Sequence, residues 1–198
     1  MTLGVSVNNL QKLFRGVSSQ DQLWLGFDLD QPDFLLLSIW SSERQSSTRL
    51  QFRLLELDVE QISPPAQEMQ FHVQMPGAEF VRLIRSMSVV SDEVAVQCSP
   101  EDSKLQLRAA GDIGWLEEDV ISGGDTAVQA SADAQGFIAR FSLKYLSTFS
   151  RGATLSRVVS VYLSPDYPVI VTWTNELLTM RMMLAPKIGD DDDGGEGM

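Results

Sequence analysis

Apolar side chains recur at helical spacing in three stretches of the chain. In Val7 to Gly16 (VNNLQKLFRG), Val7, Leu10, Leu13 and Phe14 share one side and Lys12 and Arg15 lie roughly opposite. In Pro76 to Ser88 (PGAEFVRLIRSMS), Phe80, Leu83, Ile84 and Met87 stand against Arg82 and Arg85. In Phe141 to Gly152 (FSLKYLSTFSRG), Leu143, Tyr145, Leu146 and Phe149 stand against Lys144 and Arg151. With about 3.6 residues per turn, each stretch predicts a helix that buries an apolar stripe and offers cations on the other side.

A polar turn and then β-rich sequence follow each helix. The first runs are Gln22–Phe27, Glu93–Gln97 and Arg157–Leu163. Further strands are expected at Phe34–Trp40 and Thr48–Leu57, at Leu105–Ala109 and Ala127–Ala130, and at Pro168–Thr174 and Leu177–Leu184. Arg15 and Arg85 are 70 residues apart, and Arg85 and Arg151 are 66 apart. One helix followed by several strands, about three times over, predicts a repeated α+β unit. No alternation of single strands and helices appears, which argues against an open parallel sheet.

Leu54 to Glu68 (LLELDVEQISPPAQE) starts apolar, turns acidic and passes through Pro64-Pro65, which excludes helix. This composition predicts an extended linker between two domains. Its Leu57, Val59 and Ile62 are free either to cover the protein's own surface or to dock a partner peptide. Gly189 to Met198 (GDDDDGGEGM) reads as a disordered acidic tail, and consecutive carboxylates there are not preorganised for a metal.

Charge sharpens the picture. The chain carries 27 acids against 15 basic residues, a net charge of -12. The three helical stretches hold 35 residues, so a proportionate share would be about five acids, yet Glu79 is their single acid. They hold six of the basic residues: Lys12, Arg15, Arg82, Arg85, Lys144 and Arg151. Sparing these faces in an otherwise acidic protein points to a local positive surface for a polyanion.

Little points to catalysis. Cys98, in the alternating run Glu93–Cys98, reads as a buried strand thiol, and a lone cysteine fits a reducing compartment. His72, the single histidine, reads as a satisfied structural residue, and Gly123-Gly124-Asp125 as a turn. No phosphate loop, paired-cysteine spacing or nucleophile elbow occurs, so an enzyme is not expected, nor a cofactor or metal. No apolar run approaches the ~20 residues of a membrane span. A soluble intracellular protein is expected.

Leu55–Gln61 (LELDVEQ), Met75–Phe80 (MPGAEF), Asp92–Cys98 (DEVAVQC), Leu143–Phe149 (LKYLSTF) and Leu184–Ile188 (LAPKI) resemble proliferating cell nuclear antigen, the eukaryotic sliding clamp, in order and spacing. The similarity runs from about Leu3 to Ile188. It implies the DNA-clamp fold: two-domain subunits of repeated βαβββ units, helices on one face of antiparallel sheets, in a nuclear homotrimeric ring. Residues 1–53 would be the remaining half of an N-terminal clamp domain, 54–68 the interdomain connecting loop, 69–188 the C-terminal clamp domain and 189–198 the tail. The six basic residues match positions that face the duplex, where sequence-blind phosphate contact suits a sliding protein. Partner peptides would dock on Leu57, Asp58, Val59, Glu60, Gln61 and Ile62 of the loop, Pro168, Met183, and Leu184, Ala185, Pro186, Lys187 and Ile188 of the ending. Implied partners are double-stranded DNA, DNA polymerase delta, the clamp loader, flap endonuclease and DNA ligase. Subunits would join through strands near Gln45–Arg53 and Ile113–Ile121.

Three positions depart from the family pattern. Leu3 matches a point well inside the family's first domain, so about one βαβββ unit has no counterpart, and the apolar face that it would cover is expected to be exposed. Met183 stands where a tyrosine commonly lines the groove and cannot donate its hydroxyl hydrogen bond. Pro100 stands where the family has a lysine modified by ubiquitin, with Lys104 nearby. Two other readings remain: a truncated clamp-like protein that binds partner peptides without encircling DNA, and a subunit of the related heterotrimeric checkpoint clamp.

Overall fold

The computed structural model describes residues 3–56, 68–101 and 104–187. The chain forms two compact units, Met1–Pro65 and Ala66–Met198. Unit 1 contains α1 (Val7–Phe14), β1 (Gln22–Phe27), β2 (Phe34–Ser41) and β3 (Ser46–Arg53). Ser6 starts the helix by accepting a hydrogen bond from the Asn9 amide at 3.4 Å. The strands form an antiparallel meander in the order β1-β2-β3. Its second hairpin closes from Ser41 to Ser46 through Gln45, whose φ of 49° is the left-handed turn conformation.

Unit 2 holds β4 (Phe71–Pro76), α2 (Gly77–Val90), β5 (Glu93–Ser99), β6 (Lys104–Gly111), β7 (Gly114–Ile121) and β8 (Ala127–Ala130). β9 (Phe137–Ser142), α3 (Leu143–Phe149), a 3-10 turn at Ser150–Thr154, β10 (Val158–Leu163), β11 (Val169–Thr174) and β12 (Thr179–Leu184) follow. Two sheets result, ordered β12-β11-β10-β4-β8 and β7-β6-β5-β9. Each βαβββ run lends its first strand to the other's meander: β4 pairs with β10, Pro76 opposite Val158, and β9 with β5, Ser142 opposite Glu93.

One core fills unit 2. Alternation sends Phe71, Val73 and Met75 of β4 inward, with Val94, Val96 and Cys98 of β5 and Val159, Val161 and Leu163 of β10. Phe80, Leu83, Ile84 and Met87 of α2 and Leu143 and Leu146 of α3 cover them. This is the α+β clamp architecture, with helices packed against antiparallel sheets.

Several local expectations change. Phe141 and Ser142 end β9 instead of opening a helix; both residues pair across to β5. Tyr145 is 53% exposed, because it lies roughly 200° around α3 from Leu143. Val7 is 72% exposed, and Leu10, Leu13 and Phe14 are only half-buried. The strand expected over Thr48–Leu57 runs Ser46–Arg53, and the one expected from Leu177 begins at Thr179. There the Asn175 side chain accepts the Leu177 and Leu178 amides, each at 2.9 Å, and closes a turn instead.

Candidate functional site

The apolar stripe of α2 leaves Arg82 and Arg85 facing solvent, and that of α3 leaves Lys144 exposed. α2 and α3 pack side by side, with the hydroxyls of Ser88 and Ser147 3.5 Å apart. Arg151 is exposed on the 3-10 turn that continues α3, not on the helix itself. Lys12 and Arg15 are exposed at the end of α1 in unit 1. Within unit 2, four of the six cations therefore sit on the two packed helices and the adjoining turn.

Arg82 differs from the others. Its Nε donates to Glu79 Oε2 at 3.0 Å and its Nη1 to Glu118 Oε2 at 3.3 Å, and further bonds from Nη2 close on both carboxylates. The Arg82 hydrogen bonds hold the Glu79 carboxyl below its ordinary range, and the two acids push the guanidinium's pKa further up. Glu118 lies 36 residues downstream on β7, a pairing that no local sequence pattern announces.

The chain ending forms a second cluster. Register places Ile170 opposite Met183 and Val169 opposite Leu184, so Pro168 and Ala185 meet just beyond the last pair. Leu184 packs on the core, while Met183 is 39% exposed. Pro186 is half-buried; Ala185 and Lys187 are exposed. The Lys187 amide donates to the Arg140 carbonyl at 2.8 Å, and its ammonium pairs with Glu93. The ending thus runs from the edge of one sheet to the edge strand of the other. Leu57–Ile62 and Ile188 lie outside the described residues.

Other singled-out residues have structural places. Cys98 is buried, and desolvation pushes its thiol up to about 12. His72 stacks on Tyr162 with ring centres 4.5 Å apart. Its enclosed Nε2 has no hydrogen-bond partner among the described residues. Gly124, at φ 57°, turns the chain between Gly123 and Thr126. Lys104 is half-buried and ion-paired with Asp119 at 3.1 Å. Among the described residues no helix is long and apolar enough to cross a membrane, and no group of three ligating side chains could hold a metal.

Exchanged first strands, two sheets over one core and cation-bearing helices define a clamp-type protein. The family model described as proliferating cell nuclear antigen, C-terminal domain, matches residues 64–188, and the chain belongs to that family of non-enzymatic sliding clamps. Among curated relatives, proliferating cell nuclear antigen 2 of Drosophila melanogaster is 28% identical over 194 residues, spanning 97% of this chain and 74% of the relative.

Proposed function

We propose that the chain is a processivity clamp: a nuclear, ring-forming subunit that encircles duplex DNA and tethers DNA polymerase delta and repair proteins to it. The observation that carries this reading is the pair α2 and α3, buried on one side and presenting Arg82, Arg85 and Lys144 on the other, with Arg151 on the adjoining turn. In an acidic protein, such a face attracts phosphates without reading bases. Lys12 and Arg15 repeat the arrangement on α1.

Edge strands support subunit pairing into a homotrimer. β3 and β7 end their sheets. β3 carries Arg49 and Arg53 and no acid; β7 carries Glu117, Glu118 and Asp119 and no base. Antiparallel addition of one to the other satisfies backbone groups and opposite charges together. Trp115 and Ile121 of β7, both largely exposed, would be covered.

Pro168 and Met183–Lys187 would dock peptides bearing apolar and aromatic anchors from the clamp loader, flap endonuclease and DNA ligase; the contacts expected from Leu57–Ile62 and Ile188 lie outside the described residues. The test is polymerase processivity on primed DNA. Neutralising Lys12, Arg15, Arg82, Arg85, Lys144 and Arg151 together should abolish stimulation while peptide binding persists. Full stimulation by that variant would remove the DNA-facing assignment.

A further inference from the structure

The four-stranded sheet of unit 2 has a second face. Alternation sends Val94, Val96 and Cys98 of β5 and Leu105, Leu107 and Ala109 of β6 into the core that α2 and α3 cover. Ala95 and Gln97, Gln106 and Arg108, and Ile138 and Arg140 line the opposite face. Ala95 of β5 pairs with Arg108 on one side and Arg140 on the other, so the three form one row across β6, β5 and β9. The two arginine Cα atoms stand two strand spacings apart, about 10 Å. The small Ala95 side chain keeps the floor between them low, in an open hollow of about 740 Å³.

Cations on this face are of two kinds. Lys104 is paired with Asp119, and Lys187 with Glu93. Arg108 and Arg140 are exposed and take no part in the described ion pairs, although Glu117 lies opposite Arg108 in register. Both are nevertheless positioned. The Arg108 guanidinium lies over the Trp115 ring, 5.6 Å from its centre. The Arg140 carbonyl accepts the Lys187 amide at 2.8 Å. Two guanidinium groups rising on either side of an alanine offer paired forks to an anion.

The surrounding charges select which anion. Asp92 leads into β5 and Asp112 follows antiparallel β6, so both acids line the same end of the hollow. An extended polyanion laid along the sheet would meet them, and Glu117 on the other flank. A single anionic group with neutral or basic neighbours would not. A carboxylate brings one charge to two arginines, whereas a phosphate monoester brings nearly two charges and three acceptor oxygens. We infer that the row Arg108–Ala95–Arg140 binds a phosphorylated serine or threonine of a partner protein, with a basic residue of the same peptide lying toward Asp92 and Asp112. The site lies within one chain, on the side of the sheet away from α2 and α3. It needs neither DNA nor a second copy, so it stands or falls apart from the clamp reading.

Fluorescence anisotropy of the full chain tests this with a short labelled peptide carrying one phosphoserine and a nearby lysine. The unphosphorylated peptide should bind about tenfold more weakly or worse. Arg108→Gln and Arg140→Gln should each weaken the phosphopeptide about tenfold. Ala95→Leu, which raises the floor without removing a charge, should weaken it as well. All three changes fall on the outer face, so the melting temperature should stay close to that of the parent chain. Equal affinity for the phosphorylated and unphosphorylated peptides overturns the inference, as does a phosphopeptide indifferent to both arginines or unbound at about millimolar concentration. A labelled single-stranded oligonucleotide that binds more tightly than the phosphopeptide, and is lost in both arginine variants, also overturns it and gives the row to nucleic-acid phosphates.

Discussion

The Arg82 guanidinium bridges α2 to β7 by gripping Glu118, while Glu79 holds it from one helical turn before. A phosphate approaching α2 must compete with two carboxylates for Arg82 but with none for Arg85 among the described ion pairs. The cations of this face are therefore not equivalent.

Salt dependence of duplex binding should separate them. Each phosphate contact contributes a slope of about -0.9 in log affinity against log salt. Arg85→Gln and Lys144→Gln should each flatten the slope by about that amount, and Arg82→Gln by less than half of it. Glu118→Gln, which frees part of the guanidinium, should steepen it. Fluorescence anisotropy of a labelled duplex across a salt series reads all four; equal effects of Arg82→Gln and Arg85→Gln would contradict the pairing.

Packing around Trp173 limits what the turn beside Arg151 tolerates. A Cβ on Gly152 would lie 2.2 Å from the indole atoms Cδ1 and Nε1, and Nε1 donates to the Phe149 carbonyl at 3.1 Å. Gly152→Ala must push the ring or the turn aside, and overpacking of this kind costs about 1–3 kcal/mol. Urea unfolding should show a lower midpoint with an unchanged slope. An unchanged midpoint would mean that the turn moves freely.

Asp21 gives unit 1 an acid-sensitive joint. Its carboxylate accepts from the Ser18 amide at 2.9 Å and from Arg44 at 2.8 Å. The Ser18 bond first, then Ser41 and Arg44, hold its pKa below the ordinary carboxylate value. A folded pKa below the unfolded one adds stability that is complete above the unfolded value and lost as pH falls through the folded one. Asp21→Asn should therefore reduce thermal stability near neutrality and flatten its decline below about pH 4. Parallel melting curves for both proteins across that range would rule out the joint.

Lys187 and Glu93 test the peptide corner. Their exposed ion pair contributes little stability, about 0.2–1 kcal/mol, but ties the ending to β5, beside the Lys187 amide bond to Arg140 of β9. Glu93→Gln should leave the melting temperature nearly unchanged and weaken a fluorescent clamp-binding peptide about two- to fivefold. Met183→Tyr, restoring a hydroxyl donor at the exposed position opposite Ile170, should strengthen the same peptide by about 1 kcal/mol. Unaltered affinity in both variants would place the peptide elsewhere.

Periodicity in the chain was enough to find α2, whose Phe80, Leu83, Ile84 and Met87 stripe is the buried one. It also found β1 and β8 to the residue. It failed where two elements abut without a polar break: Phe141–Ser142 closes β9 and Leu143 opens α3 with no turn between. There strand pairing to β5, a long-range contact, decides the state. Arg151 is exposed on the 3-10 turn beyond α3, whereas Lys12, Arg82, Arg85 and Lys144 were legible as outward helix positions because amphipathicity is local. The capture of Arg82 by Glu118 and the tether of Lys187 to Glu93 were not, since each joins residues far apart in sequence.

Topological linkage to DNA tests the clamp reading most directly. The chain, loaded by a clamp loader on a singly nicked circular duplex, is separated from free protein in high salt before and after the circle is cut. Encirclement predicts retention on the circle and loss after linearisation, as the ring slides off the ends. Equal loss from circular and linear DNA would contradict it and leave a peptide-binding protein that does not surround the duplex.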